Sequence, residues 1–216
     1  FVTMEIYQAI PSKDIDQLSG VSTWDLVLMN NYILNLELLD SPYKLIAADV
    51  DRNGVINPQD IVELRKLILG TYTSLPNNGS WRFIDEAQEF TDPRNPFLDV
   101  FVESFPAFYH TNPTIFHRFI GVKIGDVDNT VASNNLLNTD DRAAMTAADF
   151  NITRKEGNNW LVDAGETVEL AFDNSTTAAY QMTLETNGLK TTEILPGAGI
   201  SVDNFGQFEG AVTMAF

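Results

Sequence analysis

Residues 49–60 read Asp-Val-Asp-Arg-Asn-Gly-Val-Ile-Asn-Pro-Gln-Asp, and this stretch decides the fold because it sets oxygen ligands at the spacing that wraps a calcium ion. Asp49, Asp51 and Asn53 fall at loop positions 1, 3 and 5, Val55 offers its carbonyl at position 7, and Asp60 closes the loop at position 12. Gly54 at position 6 tolerates a backbone bend that a side chain resists. Val50 and Arg52 point away from the ligands, and Ile56 turns toward a core. The expected metal ligands are therefore Asp49, Asp51, Asn53, Val55 and Asp60, and the expected cofactor is Ca2+. The opposing reading, an acidic surface turn that binds nothing, must treat five ligand positions and a glycine as coincidence.

Outward from the loop, residues 61–69 place Ile61, Val62, Leu64, Leu67, Ile68 and Leu69 at helical spacing, with Glu63, Arg65 and Lys66 outside and Gly70 as a stop. Upstream, Ser41-Pro42-Tyr43 predicts an interruption, so the loop has a following helix and no leading one. An ordinary EF-hand has both helices and ends in a bidentate Glu, where this loop ends in Asp60.

The unit recurs. Asp25–Asn35 aligns with Asp60–Gly70, giving a second loop-helix unit. In that copy Asp14 and Asp16 take positions 1 and 3 and Asp25 takes position 12, but Leu18 and Ser19 stand at positions 5 and 6. A ligand is missing there, so the expectation is a weak, distorted or metal-free loop, with Asp14, Asp16 and Asp25 acting as capping and surface carboxylates.

Paired calcium loops ending in Asp, each followed by a single helix, resemble a type I dockerin over Ser12–Gly70. Three further stretches, 41–49, 76–85 and 119–128, resemble segments of large, secreted, dockerin-containing surface proteins of Bacteroidetes. That resemblance implies calcium binding, a secreted, extracellular or cell-surface setting and a protein partner of the cohesin type.

Composition narrows the function classes. The 216 residues include 30 acidic and 13 basic side chains, for a net charge of −17, which repels nucleic acid and anionic membranes. No apolar run reaches the ~18 residues of a membrane span, so no membrane insertion is expected. There is no cysteine, so secretion is argued from calcium rather than from disulfides. A hydrophobic content of 44% argues against disorder.

Residues 71–131 lose the helical period and gather aromatics, Trp81, Phe83, Phe90, Phe97 and Phe101 among them. These are read as an extension folded back on the helices to enlarge a core, with a carbohydrate-stacking platform around Trp81 as the alternative. Asp126, Asp128, Asp140 and Asp141 form a second acidic group, read as solvated linker rather than a further calcium site. His110 and His117 are read as exposed or hydrogen-bonding residues, since zinc would need more ligands. Beyond a polar connector, residues 150–216 alternate in short runs, Lys190–Leu195 among them, separated by turn signals, a sandwich pattern that resembles part of a cohesin-like module.

The expected architecture is α+β. Residues 1–11 form a strand from or towards a neighbouring domain, 12–131 a dockerin-like calcium-binding domain with its extension, 132–149 a linker, and 150–216 a partial cohesin-like (Ig/cohesin-like) antiparallel β-sandwich. No phosphate loop, nucleophile elbow or metallohydrolase helix is present, so no enzymatic activity is expected. The leading reading is a calcium-binding structural and interaction segment of a large surface protein of adhesin or fibre type. The alternative is a dockerin that anchors a polysaccharide-degrading enzyme to a cohesin. A neighbouring copy of the chain is the other candidate partner, if the alternating strand Phe1–Gln8 completes the sandwich of a preceding subunit in a head-to-tail homopolymer.

Overall fold

A computed structural model describes residues 6–109, 118–131, 155–156, 159–160, 164–167, 169, 181–186, 188–197 and 199–215. In chain order these form β1 (Ile6–Ala9), α1 (Thr23–Ile33), α2 (Pro42–Ala48), α3 (Pro58–Ile68), β2 (Trp81–Asp85), β3 (Phe105–Tyr109), β4 (Phe119–Lys123), β5 (Lys155–Glu156), β6 (Asn159–Trp160), β7 (Gln181–Glu185), β8 (Phe205–Phe208) and β9 (Ala211–Ala215). Helices with small antiparallel sheets make this an α+β chain. It divides into two compact units, Phe1–Asn138 with Ala179–Phe216, and Thr139–Ala178. In the second unit β5 pairs antiparallel with β6.

Both loop-following helices start from the same device. Ser22 caps α1 and Asn57 caps α3, and in each case the aspartate three residues on, Asp25 or Asp60, reaches back to the backbone N–H of the cap. Pro58 opens α3, and Gly70 ends it at φ +77°. The expected interruption at Ser41-Pro42-Tyr43 is a helix start instead. Ser41 caps α2 and Pro42 occupies its first turn, where the missing N–H has no intrahelical partner to lose.

α1 and α3 pack on each other. The core they build is shared with the extension: Leu26, Met29, Ile46, Leu64 and Leu67 cluster with Leu75, Ile84, Val122, Ile124 and Val127. β2 and β4 pair in register from Trp81 opposite Lys123 to Asp85 opposite Phe119. Alternation along β2 turns Arg82 and Ile84 inward and leaves Trp81 and Phe83 half-buried on the other face, their rings stacked with centroids 6.4 Å apart. Phe90, Phe97 and Phe101 pack against the core, as expected of the aromatic extension.

Two joints just past β4 tie it to the residue before β2 and to α2. Ile124 N–H donates to Ser80 O, and Gly125 N–H donates to Ala47 O at 2.9 Å. Gly125 has φ +88°, and a Cβ there would stand 2.5 Å from Leu64 Cδ1, so only glycine permits this approach. Residues 6–9 of the expected N-terminal strand pair with β3 of the same chain.

The C-terminal part contributes a three-stranded antiparallel sheet in the order β7–β9–β8. It joins the helical core through Ala215, which is fully buried, and through Thr213 Oγ1, which donates to Leu69 O at 2.8 Å. Lys190–Leu195, expected as a strand from its alternation, has no strand conformation, and Leu189 and Leu195 beside it are exposed. Most of the other runs behind the sandwich reading, 150–154, 161–163 and 170–180, lie outside the described residues, as do His110, His117, Asp140 and Asp141. Among the described residues no helix is long and apolar enough to cross a membrane.

Candidate metal centres

The loop of residues 49–60 folds around its own carboxylates. Asp49, Asp51 and Asp60 each bring one oxygen into a group whose members lie within 4.8 Å of one another. Two ligands on opposite sides of an ion bound at ~2.4 Å stand that far apart. Asp49 Oδ1 accepts from Asn53 N–H at 2.9 Å and Oδ2 from Gly54 N–H at 3.1 Å. Asp60 accepts from Asp51 N–H through Oδ1 and from Asn57 N–H through Oδ2, so it ties the loop to the helix cap. Asn53 donates through Nδ2 to Asp51 Oδ2 at 2.9 Å, and the Val55 carbonyl accepts from Asn57 Nδ2. Both residues are exposed at the rim. Arg52 takes a left-handed φ of +59°, and Gly54 one of +79°.

A second group of the same kind joins Asp25, Asp126 and Asp128. The sequence had not assembled it, because its members come from distant segments. Asp126 Oδ1 accepts from Thr130 N–H at 3.0 Å and Oδ2 from Val131 N–H at 3.0 Å. Asp128 Oδ1 also accepts from Thr130 N–H, as Asp51 Oδ1 does from Asn53 N–H. Asn129 has φ +62°, matching Arg52. Asp25 takes the place of Asp60: Oδ2 accepts from Ser22 N–H at 2.8 Å, as Asp60 Oδ2 does from Asn57 N–H, while Oδ1 accepts from Val127 N–H at 2.8 Å, one residue ahead of the position that serves Asp60.

The correspondence is a loop cut in two. Asp126, Asp128 and Thr130 repeat Asp49, Asp51 and Asn53. Gly20, Ser22 and Asp25 repeat Val55, Asn57 and Asp60. The halves meet where Thr130 Oγ1 donates to Gly20 O and where a Cβ on Gly20 would lie 2.7 Å from the N, Cα and Cβ of Val131. Val50 and Val127, second in each half-loop, are both fully buried.

Asp14 and Asp16 stay outside both groups. Asp14 accepts from Ser80 N–H at 2.8 Å and from Gln17 Nε2, which makes it the bracket for a turn, as a surface carboxylate should be. Asp25, expected to share that role, is instead fully buried, and Asp126, read as solvated linker, is 2% exposed. The signal that would have found the second group is the repeated Asp-Val-Asp at 49–51 and 126–128.

Both groups carry negative charge where it is expensive. Burial pushes Asp25 and Asp60 up to about 6 against the hydrogen bonds that lower them. Asp126 is pushed up to about 7, by burial and by the neighbouring Asp128 carboxyl. Asp49 is also raised, mainly by burial. Buried carboxylates converging within one coordination diameter repel one another unless a cation or protons intervene. The donors are all oxygen, which suits a hard cation such as Ca2+ and offers nothing to a soft one.

Residues 12–69 match the family model described as the dockerin type I domain. The match covers the intact loop, both loop-following helices and Asp25, and it stops short of Asp126 and Asp128. No curated protein and no solved structure matches the chain. Calcium binding and a protein partner are traits of dockerin type I domains, and among the described residues the two acidic groups are places where side chains gather that could hold a metal ion.

Proposed function

We propose that this chain is a non-catalytic, calcium-stapled structural and interaction segment of a secreted surface protein, holding one ion in the loop Asp49–Asp60 and a second in the split loop built from residues 20–25 and 126–130. The observation that carries this reading is the congruence of the two acidic groups: the same Asp-x-Asp half-loop, the same left-handed fourth residue and the same capping aspartate recur with and without chain continuity. In each, the bound ion would replace proton or ion-pair compensation for three carboxylates and fix a helix N-terminus. Calcium is then folding energy, since it binds the closed loops and not the unfolded chain.

The test is calorimetric titration of metal-free full-length chain with calcium, alongside melting in chelator and in millimolar calcium. Two ions per chain and a higher Tm with calcium are expected. A Tm indifferent to chelator would overturn the reading.

A second reading is supported by the family match and by apolar side chains left on the helices. Trp24 on α1 and Val62 on α3 are 47% and 38% exposed, and Leu34 at the end of α1 is 57% exposed. These would dock on a cohesin-like partner, anchoring whatever enzyme or adhesin the rest of the protein carries. Pull-down with immobilised cohesins at saturating calcium tests it, and loss of capture on Trp24→Ala with unchanged Tm is the expected signature. The cohesin-like nature of residues 150–216 belongs to the same proposal.

A further inference from the structure

Arg52 is the fourth residue of the intact loop, set between Asp51 and Asn53 at φ +59°, a conformation that a side chain other than glycine's resists. Its guanidinium is held from outside the loop. Arg52 Nη2 donates to Glu103 Oε2 at 2.8 Å, and the other oxygen of the same carboxylate accepts from Arg82 Nε at 2.7 Å. Arg82 lies within β2, is 7% exposed, and stands 4.9 Å over the Phe101 ring. The backbone beside Glu103 is tied as well: Val102 O accepts from Asp85 N–H at 2.8 Å, and Val102 N–H donates to Gln88 Oε1 at 3.1 Å.

An ion pair between two mobile surface side chains contributes little, because both must be ordered to form it. Here the buried Arg82 and the backbone bonds of Val102 have already fixed the acceptor, so only Arg52 has to be ordered. The split loop supplies an internal control. Asn129 repeats the left-handed turn between Asp128 and Thr130, but its side chain is exposed and bonds to no described residue. We propose that Glu103 is a positioning residue for the intact loop, holding the turn between Asp51 and Asn53 through Arg52 in the shape that presents both ligands. Calcium affinity at residues 49–60 then depends on an extension outside the segment that matches the dockerin model. By linkage the dependence is mutual, so an ion in the loop steadies residues 102–103 in return. This rests on the reading of the loop Asp49–Asp60 as a calcium site.

The experiment titrates calcium into full-length wild type, Arg52→Gln, Glu103→Gln and the double variant, with Asp60→Asn assigning one of the two affinities to the intact loop. A remote field and a clamp differ in sign. As bare charges, Arg52 repels calcium and Glu103 attracts it, so the single variants would shift affinity in opposite directions and the double variant would return to wild type. As a clamp, either loss releases the turn: all three variants weaken the intact loop by about three- to five-fold, the double no more than the singles, and the split loop is unchanged. Hydrogen exchange supplies a second readout. Calcium slows exchange of the Val102 and Glu103 amides in wild type and leaves them unaffected in Glu103→Gln. Tighter binding by Arg52→Gln, additive losses, or equal losses at both sites would overturn the proposal. A wild-type chain whose calcium uptake is untouched by Asp60→Asn would instead remove the site on which the proposal rests.

Discussion

Asp60 is fully buried, caps α3, and carries a charge that Asp49 and Asp51 oppose. Its two functions respond oppositely to neutralisation. Asn in its place keeps one acceptor for the cap but removes a charge that only a cation favours. In chelator Asp60→Asn should therefore melt no lower than wild type. In calcium it should melt below wild type, with affinity at that loop reduced at least ~100-fold, as the loss of a ligand charge in so small a shell demands. Calorimetry under both conditions checks the crossing. The pH dependence has the same origin. Asp25 and Asp60 at about 6, and Asp126 at about 7, all lie above the ordinary value of 3.8, so the folded metal-free chain binds protons more tightly than the unfolded one. That contribution to stability is complete below about pH 4 and is lost as pH rises through 6 to 7. In chelator, Tm should fall between pH 5 and 7.5 by this mechanism; with calcium, which favours the ionised form, the slope should reverse. Parallel slopes in both buffers would show that the carboxylates do not act on the ion.

The elements that carry these residues were legible to different degrees. α3 could be read from Ile61, Leu64, Leu67 and Ile68 together with Gly70, because a contiguous loop, a cap and an apolar stripe all lie in one window. α1 followed by repetition. Its loop did not, since Asp14 and Asp16 lie closer in sequence to Asp25 than the true partners do, and periodicity cannot show that Asp126 folds back to meet it. Pro42 misled for a local reason: the residue that ends one helix can start another, and only the Ser41 cap separates the two cases. The alternation of Lys190–Leu195 pairs with no strand among the described residues, and alternation without pairing is not a strand. The junction between half-loops gives the element-scale prediction. Gly20 has φ +73° and no room for a Cβ against Val131, whereas Gly54 has φ +79° with its nearest contact, Phe97 Cβ, at 4.0 Å. Both alanine substitutions bear the left-handed strain of about 1 kcal/mol or more. Gly20→Ala must also push Val131 away, so it should lower calcium stoichiometry from two to one, while Gly54→Ala retains both ions at reduced stability. Titration of the two variants distinguishes them.

At the scale of the molecule, the core joins Met29 and Leu64 from the helices to Ile84 and Ile124 from the extension, so the segment matching the dockerin model owns only part of the interior it needs. The split loop adds a fastening of another kind, because an ion shared by Asp25 and Asp126 closes a ring of about 100 residues. A crosslink around a ring of that size restricts the unfolded chain by about 4 to 5 kcal/mol in the loop-entropy account, and a metal clip delivers that restriction only while the ion is bound. The consequence can be tested by cutting the ring. Arg94 lies in an exposed stretch between β2 and β3, and trypsin in calcium should nick there before it reaches the buried Arg82 or Lys123. The nicked chain then has α1 and α3 on one fragment and β4 with Asp126 on the other, joined by β-pairing, the shared core and the ion. It should elute from a sizing column as one species in calcium and dissociate or unfold when chelator is added, whereas uncut chain should survive the same chelator at room temperature. Nicked fragments that stay together without calcium would mean that the core alone holds the halves, and that the split loop binds its ion without fastening the fold.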